Sequence, residues 1–137
     1  MFNVEVYFPY QRIDENAAIF YGLSLLAVGY YSETEPADGF PHLKAAGQIE
    51  LDVIKRNPLS PGALHYAIHA FDQPAMAAQA LDAARVFQNN SCAVPHAVHM
   101  PSHIYSDLGL WAESVDSNIL SVNLAYAKNN QTREQDW

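Results

Sequence analysis

Five of the six histidines stand between positions 65 and 103, and their spacing is what most suggests chemistry in this chain. His65 and His69 are four residues apart, so on a helix they share a face. His99 and His103 repeat that spacing, and His96 stands three before His99. Imidazole nitrogens so placed suit Zn²⁺ or Cu²⁺, and four of them drawn from adjacent helices would complete a site. Asp72 is a candidate to orient one ligand histidine from behind. The competing reading is structural: a histidine between packed helices bonds a hydroxyl or a carbonyl and holds no ion. That reading is preferred, because Pro101 removes a helical bond to the Ala97 carbonyl and kinks any helix through His99 and His103. If the helix begins near Met100 instead, the shared face of that pair is lost. No His-Glu-x-x-His or Cys-x-x-Cys string reinforces a metal.

Other reactive residues carry less. Ser60, Ser102 and Ser106 stand near histidines, but none lies in a nucleophile elbow. Cys92 has His96 four residues on, which could lower a thiol pKa. A lone loop cysteine reads as incidental, and a single cysteine excludes an internal disulfide. There is no glycine-rich phosphate loop, and no catalytic residue is predicted.

The elements that must position these residues read as helices. Asp14 is an N-cap for a helix to Tyr31. That helix is apolar on most sides, through Ala18, Tyr21, Leu25 and Val28 and through Phe20, Leu23 and Ala27, so it is expected to be buried between neighbouring helices. A loop with Pro36 and Gly39 leads to a second helix, from about Pro41 to Arg56, with Leu43, Ala46, Ile49, Val53 and Ile54 inward. Ser60 and Pro61 signal the start of a third, ending near Phe71. Asp72-Gln73-Pro74 breaks it and opens a fourth helix to Gln88. A fifth ends at Gly109, a left-handed C-cap. A sixth runs from Trp111 to Lys128, with Trp111, Val115, Ile119, Val122 and Tyr126 expected to be buried. Only Asn3 to Phe8 alternates in the manner of a strand.

The chain has 137 residues, half of them hydrophobic, and a formal charge of −8. Such a surface repels phosphate backbones and anionic membranes, so neither nucleic acid nor a membrane is an expected partner. No segment approaches the roughly 18 uninterrupted apolar residues of a membrane span. Met1 to Tyr10 has no basic region and holds Glu5, so it does not read as a signal peptide. The chain reads as soluble, with its compartment open.

The helices pair as about 15–56, 61–88 and 96–128, and Asp72 and Gly109 occupy equivalent turns 37 residues apart. Gly109-Leu110-Trp111-Ala112-Glu113-Ser114-Val115 is similar to the turn and second-helix start of the tetratricopeptide repeat, with Ser102, Tyr105 and Ser121 at its small and aromatic positions. Two strings, Pro61-Gly62-Ala63-Leu64-His65-Tyr66-Ala67-Ile68-His69-Ala70-Phe71-Asp72 and Pro95-His96-Ala97-Val98-His99-Met100-Pro101-Ser102-His103-Ile104-Tyr105, resemble a bacterial family of tetratricopeptide-domain proteins. The resemblance runs from about Asp14 to the end. It implies one all-α, right-handed solenoid domain over 1–137, of about three antiparallel helix pairs, and a piece of a longer member. It implies a scaffold that binds a protein or peptide in a concave groove, without catalysis or cofactor. His65, His69, His99, His103, Tyr66, Asp72 and Tyr105 are the groove candidates. The alternative is a Zn²⁺- or Cu²⁺-binding protein using His65, His69, His99 and His103. Apolar terminal faces predict self-association or marginal stability.

Overall fold

The computed structural model describes residues 14–33, 39–91 and 94–135, with side chains up to Lys128. Among the described residues there are helices and no strand. The run Asn3 to Phe8, Pro36, Cys92 and Trp137 lie outside them. The chain divides into two compact units, Met1–Ala70 and Phe71–Trp137.

The first unit holds α1 (Glu15–Ser32), α2 (Pro41–Arg56) and α3 (Pro61–Ala70). Asp14 caps α1: its Oδ1 accepts from the amides of Asn16 at 2.9 Å and Ala17 at 3.2 Å, two donors that the helix cannot satisfy itself. The inward face of α1 is Ala18, Ile19, Gly22, Leu26 and Gly29. Phe20 and Val28 point outward, and Tyr31 is 91% exposed, so part of its apolar surface is left uncovered. The reason is close packing. A Cβ added at Gly22 would overlap Oε1 of Glu50, and one at Gly29 would come within 2.5 Å of Leu43 Cδ2. Gly22 and Gly29 on α1 admit side chains from α2, while Phe20, Val28 and Tyr31 turn away. Leu43, Ala46, Gly47, Glu50 and Val53 form the buried face of α2. Ile49, Ile54 and Tyr66 pack on a cluster of Ala18, Ile19, Val53 and Ala63.

The start of α2 has an unusual cap. Phe40, buried and left-handed at φ 52°, precedes Pro41 and makes no side-chain cap bond. Glu33 acts instead, from nine positions before His42. Its Oε1 accepts from the His42 amide at 2.7 Å and its Oε2 from the Leu43 amide at 3.2 Å. The His42 ring adds an Nδ1 contact at 2.5 Å. Burial alone would raise the Glu33 pKa, but these donors outweigh it and hold the carboxyl below its ordinary value.

In the second unit the expected fourth helix begins later than Pro74. Residues 72–76 form turns, Ala77–Ala80 is a 3₁₀ turn, and α4 runs Leu81–Asn90. Then come α5 (Pro95–His99), α6 (Pro101–Asp107) and α7 (Trp111–Gln135). Pro101 interrupts the helix but does not bend it away. Met100 keeps helical angles, φ −51° and ψ −41°, so one face continues from α5 into α6. Gly109, at φ 72°, ends α6 in a Schellman motif: the Leu110 amide donates to the Tyr105 carbonyl at 2.8 Å and the Gly109 amide to the Ser106 carbonyl at 3.1 Å.

The helix α7 packs by an unexpected face. Ser114 and Ser117 are buried, whereas Trp111 is 67% and Tyr126 is 68% exposed, with Val115, Ile119 and Val122 about half exposed. The apolar stripe assigned to the core is therefore on the outside. Small serines let α7 approach α5 and α6 closely, and they meet carbonyls there. Ser117 Oγ donates to the Val98 carbonyl at 2.5 Å and Ser121 Oγ to the Pro95 carbonyl at 2.8 Å. Ser114 Oγ lies 2.9 Å from Ser106 Oγ and 3.4 Å from the Ser102 carbonyl. A stripe of bulky residues would hold the helices too far apart for those bonds.

Candidate functional site

Each unit holds one histidine pair. In the first, α3 places His65 and His69 on one face, with their Nε2 atoms 3.1 Å apart. The Tyr30 hydroxyl donates to the His69 carbonyl at 2.8 Å, and its oxygen stands 3.4 Å from His69 Nδ1, a long contact. The His65 ring stacks on Tyr66, with centroids 5.2 Å apart and planes 11° from parallel. Tyr66 also packs on the apolar cluster of this unit.

In the second unit, His99 at the end of α5 and His103 on α6 have the same Nε2 separation, 3.1 Å. The continuous helical path through Met100 preserves the four-residue register across Pro101. Asp72, from the turn before the 3₁₀ segment, sets its Oδ2 3.0 Å from His103 Nδ1. This bond raises the His103 pKa, with burial opposing it. His99 Nδ1 lies 2.8 Å from Asn118 Oδ1 on α7, and Asn118 Nδ2 donates to the Ser114 carbonyl at 2.9 Å. Ser102 Oγ is a more distant neighbour of His99 Nδ1, at 3.4 Å. Asp107 faces the same group. Burial raises its pKa, the Asp72 charge adds to the rise, and its Oδ2 is buried with no hydrogen-bond partner.

The expectation of a single four-histidine site draws on residues of both units; each unit by itself holds a pair. His96 is exposed on α5. Tyr105, expected to line a groove, is buried in the second unit. Its hydroxyl donates to Gln88 Oε1 at 2.6 Å, and burial raises its pKa. It is a core residue. Cys92 and any effect of His96 on it fall outside the described residues. Sequence reasoning missed Asn118, which is nineteen positions from His99 and belongs to no metal or nucleophile pattern. It also missed Glu50, which is fully buried with both carboxyl oxygens unpartnered; burial pushes its pKa up to about 8.

The exposed stripe of α7 is the other candidate. Trp111, Val115, Ile119, Val122 and Tyr126 recur at helical spacing and cover about 22 Å of the axis, at 1.5 Å per residue. A shallow apolar depression of about 400 Å³ lies along it, lined by Val115, Asn118, Ile119, Val122 and Asn123. No helix among the described residues is long and apolar enough to cross a membrane. No protein-family model, curated protein or solved structure matches the chain.

Proposed function

We propose that this chain is a non-catalytic helical scaffold of the tetratricopeptide kind that docks an amphipathic helix of a partner protein along α7. The observation that carries the reading is the exposed row Trp111, Val115, Ile119, Val122 and Tyr126. Leaving such a row in water forgoes a large burial gain, and rows of this kind mark interaction surfaces. Helix-in-groove recognition uses anchors at this spacing, and tryptophan and tyrosine are common anchors. The net charge of −8 favours a partner whose polar edge is basic. The solenoid arrangement belongs to the same proposal, supported by the resemblance of residues 95–115 to the repeat.

A synthetic amphipathic helix with a leucine stripe and lysine flanks is the probe, added to a chain in which Trp137 is replaced by phenylalanine. Binding should shift the Trp111 emission to the blue, and Ile119→Asp with Val122→Asp should abolish the shift. Trp111→Ala should change the unfolding free energy by no more than about 0.5 kcal/mol, as surface substitutions do. Absence of binding, or a stripe already covered by self-association in sedimentation, would sink the reading.

A further inference from the structure

The hydrogen bonds around His99 and His103 place a hydrogen on each Nδ1. A carboxylate only accepts, so His103 Nδ1, 3.0 Å from Asp72 Oδ2, carries a hydrogen. Asn118 donates through Nδ2 to the Ser114 carbonyl, which turns its Oδ1 toward His99 at 2.8 Å. The reversed amide would set two acceptors against each other at Ser114. An amide oxygen also only accepts, so His99 Nδ1 carries a hydrogen too. A neutral imidazole has one N–H. With both rings neutral, both Nε2 atoms present lone pairs, and they face each other at 3.1 Å. Two lone pairs at that distance repel, unless something electron-poor sits against both.

We propose that His99 and His103 are the two protein ligands of a borderline divalent cation, Zn²⁺ or Cu²⁺, with Asp72 and Asn118 as positioning residues. Two nitrogens bound tetrahedrally to Zn²⁺ at ordinary bond lengths stand roughly 3.3 Å apart, close to the separation here. The ring of His103 is held by a carboxylate, the partner that commonly orients a metal-bound histidine and strengthens it as a donor. Solvent can reach the group: the His103 side chain is 36% and the Asp72 side chain 26% exposed. Water can therefore complete the coordination. The unpartnered Asp107 oxygen adds negative potential that a cation would offset. The i, i+4 spacing survives Pro101 because Met100 stays helical, and this places both ligands on one side of the α5–α6 path. The inference concerns the second unit alone and is independent of helix docking on α7.

The test uses the full chain, stripped with a chelator and titrated with Zn²⁺ alone. His99 and His103 should account for one equivalent, saturating at micromolar free ion. His99→Ala and His103→Ala should each remove that equivalent, while His65→Ala keeps it. Asp72→Asn should keep the stoichiometry and weaken the affinity by roughly tenfold or more, as loss of an orienting partner does. Cu²⁺ in the same site should show nitrogen hyperfine structure from two imidazoles in its electron paramagnetic resonance spectrum. If an alanine variant loses helix content, His103→Gln replaces it, since an amide can still donate to Asp72. No binding at millimolar ion would mean that a shared proton alone holds the pair, and would overturn the proposal. So would binding of unchanged stoichiometry in both histidine variants, or a copper spectrum with oxygen donors only.

Discussion

The seam between α1 and α2 and the seam of α7 against α5 and α6 both bring helices close through small residues, yet they treat buried polarity in opposite ways. In the first, Gly22 and Gly29 leave room for Glu50 and Leu43, and Glu50 arrives with two unpartnered oxygens. In the second, Ser117 and Ser121 carry their own hydroxyls inward and give them to the Val98 and Pro95 carbonyls. Glycine makes space without chemistry, so the side chain that enters must be kept neutral by the protein. Serine supplies space and donor together, and its bonds to the carbonyls need no change of protonation. The Gly22–Glu50 contact should therefore respond to pH, and the serine–carbonyl contacts should not.

The largest expected effect tests that difference. The Glu50 pKa is raised to about 8 from 4.5, so the folded state holds this proton more tightly than the unfolded one. Its contribution is fully present below about pH 4.5 and is lost as pH rises through 8, by about 5 kcal/mol in total. Glu50→Gln, which resembles the protonated form, should match the parent near pH 4 and be several kcal/mol more stable, roughly 3 to 5, at pH 9. Urea unfolding across that range checks it, and parallel curves for the two proteins would break the comparison. Next in size is Gly22→Ala. The added methyl must displace Glu50, an overpacking cost of up to about 3 kcal/mol, offset by about 1 kcal/mol of better helix propensity. A net loss of roughly 2 kcal/mol is expected in denaturant melts, and a gain in stability would show that Glu50 moves aside freely. Smallest is Ser117→Ala, which leaves the Val98 carbonyl without its donor. It should cost about 1 kcal/mol, equally at pH 5 and pH 8. A loss that varied with pH would show that the Ser117 bond is coupled to a titrating neighbour, and would break the comparison.

Most ends of the elements were legible in the sequence, the start of α4 excepted, and so was the inward face of α2; the faces of α1 and α7 were not. Asp14, Pro61 and Gly109 announce their roles because caps and left-handed stops depend on one residue and its immediate neighbours. The inward sides of α1 and α7 depend on what lies opposite. Trp111, Val115, Ile119, Val122 and Tyr126 form the stronger apolar pattern, and hydrophobic periodicity selects it. The decisive signal was the weaker one, the row Ser114, Ser117 and Ser121, whose value comes from partners on α5 and α6. The histidine pairs followed from four-residue spacing, and Asp72 was a candidate to orient one of them. Asn118 came into view only once α7 was known to turn its serine face inward, because the residue lies beside that face. Glu50 was hidden for a related reason: a glutamate in the middle of a helix reads as exposed unless the glycine opposite it is known.

The cap that Glu33 provides for α2 has a consequence for the order of folding. Most helices carry their start signal in the adjacent residue, so their first turn can form as soon as the local chain does. Here the acceptor is nine positions before His42, and the adjacent Phe40 offers no substitute. Nucleation is already the unfavourable step of helix formation, and for α2 it must wait until Glu33 and His42 have been brought together. The first turn of α2 then behaves as a late-forming, early-fraying segment. Its amides at His42 and Leu43 should exchange with solvent faster than the helix body toward Val53.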